Sequence, residues 1–176
     1  VAHVAVQSLV ELEAVEPALA AVRSGSPALI DGGVQVLQRL HEEEAITGLI
    51  EIFDQAIDPY RQRQTLGALA RLYHREADWH GTLEEWWGTT PSPRGPYYAP
   101  VEWSGSDRLE PVLASALEES EGVEYRRRVE VLELNRAVPE AAGALLTAAE
   151  RVSDSLKTRV IDLAVGAASV TEGMIP

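Results

Sequence analysis

With 176 residues, 45% of them hydrophobic, the chain is long enough for one domain with a sizeable core. Its formal net charge of -13 argues against nucleic acid, because a phosphate backbone is held by neutralising cations, and it disfavours an anionic membrane surface for the same reason. No window approaches the roughly 18 consecutive apolar residues of a membrane-spanning helix, and the lack of cysteine excludes disulfides, thiolate metal sites and covalent haem attachment within this segment.

The N-terminal stretch VAHVAVQSLVEL lacks the basic start of a signal peptide; the chain begins with Val1 rather than Met and its first helix has no capping residue before it, so a segment of a longer protein is expected. Val6, Leu9 and Val10, then Val15, Leu19 and Val22, recur at helical spacing and predict two short helices. Pro17 falls in the first turn of the second, and Ser24-Gly25-Ser26-Pro27 breaks the pattern. Val34, Leu37 and Leu40 mark a third helix. Ile46, Leu49, Ile50, Phe53 and Ile57 mark a fourth, on a stripe of i, i+3, i+4, i+7 type. Asp58 is suited to cap the next helix, with Pro59 at its first position, where a missing N–H costs nothing.

TLGALARLY from Thr65 to Tyr73 overlays GVQVLQRLH from Gly33 to His41, with Pro59 over Pro27, Leu69 over Leu37, Arg71 over Arg39 and Leu72 over Leu40. After residues 74–106, Leu109, Val112, Leu113, Ala116 and Leu117 predict a helix capped by Ser106 or Asp107. A further pair is predicted from Glu124 to Asn135 and from Pro139 to Val152, and another unit begins at Ser153-Asp154. Helix pairs recurring at such intervals are the mark of an α-solenoid, in which each pair buries its apolar face by stacking on its neighbours. An all-α fold follows, a single domain over residues 1–176 built from about five helix pairs. An irregular helical bundle is the alternative, since helices with alanine-rich faces pack either way.

Residues 74–106 interrupt the repeats. All four tryptophans (Trp79, Trp86, Trp87, Trp103) lie there with Tyr97, Tyr98 and the prolines Pro91, Pro93, Pro96 and Pro100. Long connections without their own secondary structure tend to be functional or disordered, and disordered segments are poor in aromatics. Two readings of the rings stand side by side. They glue the connection to the helices, or some remain exposed as a platform for a sugar ring or a partner's side chain. On the second reading Trp86, Trp87, Tyr97, Tyr98 and Trp103 supply the faces, while Arg94, Asp78 and Glu102 bond hydroxyls. His74, Glu76, Asp78 and His80 are the residues that could converge on a divalent metal; a solvated helix end explains them more simply, and no metal is assigned. Glu84 and Glu85 beside Trp86 have no identifiable partner carboxylate for acid catalysis. Arg126, Arg127 and Arg128 form the one basic run; Arg128 fits a ladder position of the repeat, and the others are expected to pair with Glu121, Glu124 and Glu130. No phosphate loop, nucleophile elbow or HExxH motif occurs, so no catalytic residue and no cofactor is assigned.

The Pro or Asp at the turn with an Arg a few residues on, as in Asp58-Pro59 with Arg63 and Asp154 with Arg159, resembles HEAT repeats. The string ALARLYHREADWHGT followed by WWGTTPSPRGPYYAPVEWSGSDRL resembles the HEAT-like region of large multidomain haem-binding and dehydrogenase-like proteins of planctomycetes and related bacteria. The likeness is close from Ala68 to Ser106 and elsewhere extends only to the repeat pattern. Leu83-Glu84-Glu85 lengthens the approach to WWGT, and Thr90 and Ser92 stand where that family tends to have Arg and Asp. The resemblance implies a periplasmic or cell-envelope location, with β-propeller and cytochrome modules as neighbours in the same polypeptide. The expected role is a non-catalytic scaffold that binds a protein partner or neighbouring domains. A carbohydrate-binding or auxiliary carbohydrate-active module using the Trp/Tyr stretch is the alternative.

Overall fold

The computed structural model describes residues 2–78, 97 and 99–137, and within them the chain is mostly helical. Helices α1 (Ala2–Glu11), α2 (Val15–Arg23), α3 (Pro27–Leu37), α4 (Glu43–Gln55) and α5 (Pro59–Leu72) follow one another through short turns. Strands β1 (Arg75–Glu76) and β2 (Pro100–Val101) come next, then helices α6 (Ser106–Glu118) and α7 (Gly122–Asn135). The predicted helices from Pro139 onward lie outside the described residues.

Local chemistry places most of these boundaries. Pro27 and Pro59 open α3 and α5, where a fixed φ is an asset. The Asp58 carboxylate accepts from the backbone N–H groups of Tyr60 and Arg61 at 3.1 and 3.3 Å, as the sequence leads one to expect. Two expectations fail. Ile57 continues the predicted stripe of the fourth helix, but α4 ends at Gln55 and Ile57 is 97% exposed in the turn; Ile52 joins the buried face instead. The helix after the insertion is capped by neither Ser106 nor Asp107, because Gly105 is its N-cap residue and the Ser106 hydroxyl is engaged elsewhere.

Helices adjacent in the chain pack together (α2 on α3, α4 on α5, α6 on α7), and so do helices two apart: α1 on α3, α2 on α4, α3 on α5. Helix α5 also receives α6 and α7, so it packs against four other helices. Leu37 of α3 and Leu69 of α5, paired by the internal repeat, are both fully buried, as are Ile46, Leu49, Leu109, Leu113 and Tyr125. Exposed ion pairs, Arg23 with Glu51 and Arg108 with Glu43, join α2 to α4 and α6 to α4 at the rim; pairs of this kind contribute little.

Close approach of α2 and α3 rests on one glycine. A Cβ at Gly33 would stand 2.6 Å from the Ala18 carbonyl oxygen and 2.8 Å from a Val22 methyl, whereas one at Gly32 would meet nothing within 4 Å. The obstacle at Gly33 is backbone, so it cannot swing aside. Gly33→Ala is therefore expected to destabilise the fold by about 1–3 kcal/mol through overpacking. Gly32→Ala, one residue away in the same helix, should stabilise it by about 0.4–1 kcal/mol by removing unfolded-state freedom. Urea denaturation of the two variants reads this difference in sign.

Candidate functional site

A helix leaves its last carbonyls without intrahelical partners. At the end of α5 these groups point to where the two ends of the insertion leave and rejoin the helices, and side chains distant in sequence meet them there. The Tyr97 hydroxyl donates to the Arg71 carbonyl at 2.6 Å, and the Trp103 indole Nε1–H donates to the Leu72 carbonyl at 2.8 Å. The Ser106 hydroxyl donates to the Tyr73 carbonyl at 2.7 Å while accepting from the Trp103 backbone N–H at 3.0 Å. His41, in the turn between α3 and α4, donates from Nε2 to the His74 carbonyl at 2.9 Å. Four consecutive carbonyls, from Arg71 to His74, thus each receive a side-chain donor.

The rings that carry these donors also pack. The Trp103 and His41 rings meet edge to face with centroids 5.0 Å apart, and the Arg71 guanidinium lies 4.1 Å above the Tyr97 ring. Gly105 lets Trp103 come close, since a Cβ there would stand 2.4 Å from the indole and 2.5 Å from Ile46. Below them β1 pairs antiparallel with β2, Arg75 opposite Val101 and Glu76 opposite Pro100. The Ala77 N–H donates to the Ala99 carbonyl at 2.9 Å, and the Glu76 carboxylate accepts from the Ala99 N–H at 2.6 Å. This short ribbon closes the neck of the insertion.

Of the residues singled out for a ligand platform, Tyr97 is 6% exposed and Trp103 is half-buried, both turned into the α5 terminus. Asp78 and Glu102 are exposed at the rim. Trp86, Trp87, Arg94 and Tyr98 lie outside the described residues, as do Trp79 and His80. No group of three or more His, Asp or Glu side chains able to hold a metal ion occurs among the described residues. His74 turns instead to the end of α7, donating from Nε2 to the Arg136 carbonyl at 3.1 Å. Sequence reasoning did not single out His41, Arg71 or Ser106 as partners of the aromatic residues. The one signal that could have raised them is the known need of a helix end for donors.

Burial is the main electrostatic influence at the site. It raises the pKa of the Tyr97 hydroxyl, against the pull of the Arg71 cation. It lowers those of His41 and His74 against their hydrogen bonds to backbone carbonyls, and Arg71 and Arg75 press His41 further down. Neutral imidazoles donating one N–H each, a protonated phenol and a stacked guanidinium together cap the helix ends.

A buried cation does comparable work nearby. Arg128 of α7 is 8% exposed and donates to the Ala116 carbonyl in the last turns of α6 at 2.5 Å, to Gln62 of α5 at 3.3 Å and to Glu124 at 3.4 Å. Its guanidinium lies 5.9 Å from the Phe53 ring centroid of α4. Glu124 also pairs with Arg127 at 3.9 Å, so two of the three consecutive arginines share one carboxylate.

No family model, curated protein or solved structure matches the chain.

If capping is the task of these side chains, removing one donor should cost stability. Tyr97→Phe keeps the ring but strips the Arg71 carbonyl of its donor, and a loss of about 1–3 kcal/mol is expected. Ser106→Ala unpairs both the Tyr73 carbonyl and the Trp103 N–H and should cost at least as much. Thermal and urea denaturation followed by circular dichroism measure both; losses within about 0.5 kcal/mol of zero, the ordinary range for a surface substitution, would reject the capping role.

Proposed function

We propose that the chain is a non-catalytic helical scaffold of the HEAT-like class that holds neighbouring domains or a protein partner within a larger cell-envelope protein. The observation that carries this reading is the use of Tyr97 and Trp103 as caps for the end of α5. Their polar atoms are bonded to backbone, and their rings pack on the helices. The internal repeat adds support, because Pro27 and Pro59 open equivalent helices that pack on one another and Leu37 and Leu69 are buried alike. Contacts between helices two apart are what stacked pairs need. The planctomycete-type envelope assignment rests on the WWGT, RGPYY and following Trp string alone.

Carbohydrate binding would require free ring faces beside the exposed carboxylates Asp78 and Glu102. Tryptophan emission titrated with plant or algal oligosaccharides separates the two roles. The scaffold reading expects an unchanged spectrum up to millimolar ligand. A saturable shift, lost in an Asp78→Ala or Glu102→Ala variant, would overturn it in favour of a sugar-binding module.

A further inference from the structure

His41 and His74 do more than cap. Together they join three segments remote in sequence: the α3–α4 turn reaches the root of the insertion through the His41 Nε2–H bond to the His74 carbonyl, and that root reaches the end of α7 through the His74 Nε2–H bond to the Arg136 carbonyl. Arg136 itself sits in the left-handed conformation with φ 56°, and its N–H and that of Ala137 close the last turn of α7 on the Glu133 and Leu132 carbonyls. The His74 ring therefore holds a helix end by its exit residue.

We propose that His41 and His74 form a proton-sensitive latch, closed when both rings are neutral, whose opening on acidification releases the end of α7 from the root of the insertion. The geometry explains why the His74 half opens first. With Nε2 committed to a carbonyl, the second proton must go on Nδ1, which is buried without a hydrogen-bond partner. Protonation would put a charge into this buried position, where desolvation outweighs the pull of the backbone carbonyls on the charged ring, a cost the ring escapes by turning out and giving up Arg136.

The charges around each ring bear on the sign. Facing His74 are Glu102 from beyond β2, which favours the charged ring, and Arg136 from the end of α7, which opposes it. The Val101 backbone also favours the charged ring, as the smallest of these contributions, and the Tyr73 ring meets the imidazole edge to face at 4.8 Å. His41 faces Arg71 from α5 and Arg75 from β1, both opposing charge, and Glu42 beside it, which favours it. The Tyr97 hydroxyl is 3.4 Å from its Nε2. Burial outweighs the favourable contacts at both rings and depresses both folded-state pKa values. For a base so depressed, the stability it contributes is whole above the unfolded value of about 6.5 and is lost as pH falls through that value toward the folded one.

The test is a pH titration of the isotopically labelled full chain from pH 7.5 to 5, following the histidine ring resonances and amide hydrogen exchange corrected for intrinsic rates. Protection of the Arg136 and Ala137 amides should fall about fivefold, the equilibrium effect of one hydrogen bond, in step with the His74 ring titration, while α2 amides keep theirs. His74→Gln, which retains a donor but cannot titrate, should abolish that step; Glu102→Gln should move it to lower pH. A ring that titrates while the α7 amides stay protected, or a loss of protection equal in α2 and α7, would overturn the latch. The unsubstituted protein decides this alone if His74→Gln fails to fold.

Discussion

Four carbonyls at the end of α5 have to be satisfied, and much of the surrounding structure is arranged around that demand. Each buried carbonyl left without a donor costs about 1–3 kcal/mol, so a bare helix end in the middle of a packed domain would cancel a large share of the stability of the whole. The donors come from His41 ahead of the helix and from Tyr97, Trp103 and Ser106 behind it. The segment that follows α5 is in this sense part of it, since that segment supplies three of the groups that satisfy the helix end.

The same solution recurs one helix later. Arg128 of α7 reaches back to the Ala116 carbonyl near the end of α6, and the rest of its fork is taken by Gln62 and Glu124, with Phe53 flanking the guanidinium. A buried cation is tolerated only when its donors find partners. Three helices supply them here, α5, α6 and α7 itself, while the Phe53 ring of α4 flanks the guanidinium, so this side chain ties α5, α6 and α7 by direction as well as by apolar contact. Packing of Leu and Ala faces alone would let such helices slide; donors aimed at particular carbonyls fix one register.

Features whose cause is local could be read in the sequence. Pro27, Pro59 and the Asp58 cap act through the backbone within a turn or so of themselves, and Leu37, Leu49, Leu69 and Leu113 follow the period of the helix that buries them. Ile57 shows the limit of periodicity: it continues the stripe of α4 arithmetically, but Asp58-Pro59 must open the next helix, so α4 has already unwound and the side chain is left in solvent. Ser106 is an instructive miss of another kind. A serine before an apolar run is a sound cap on local grounds, yet a carbonyl 33 positions earlier in the chain competes for its hydroxyl and wins. Pairings of that sort, and those of His41 and Tyr97, have no sequence period, so composition located the aromatic stretch without revealing what its members bond.

The wealth of aromatic residues in the insertion invites a chemical role, and the described part of it bears on that invitation. A hydroxylated ligand needs both a ring face and a directional polar partner. Trp103 has one side-chain donor and gives it to the Leu72 carbonyl; the Tyr97 hydroxyl donates to the Arg71 carbonyl, and one face of its ring carries a guanidinium. What these two residues could offer a ligand is already used by the backbone of their own chain. Asp78 and Glu102 are exposed at the rim, two carboxylates on an acidic surface. A large amphipathic side chain is the natural choice where one end must bury apolar area and the other must reach a buried carbonyl, which is the task that the end of α5 sets.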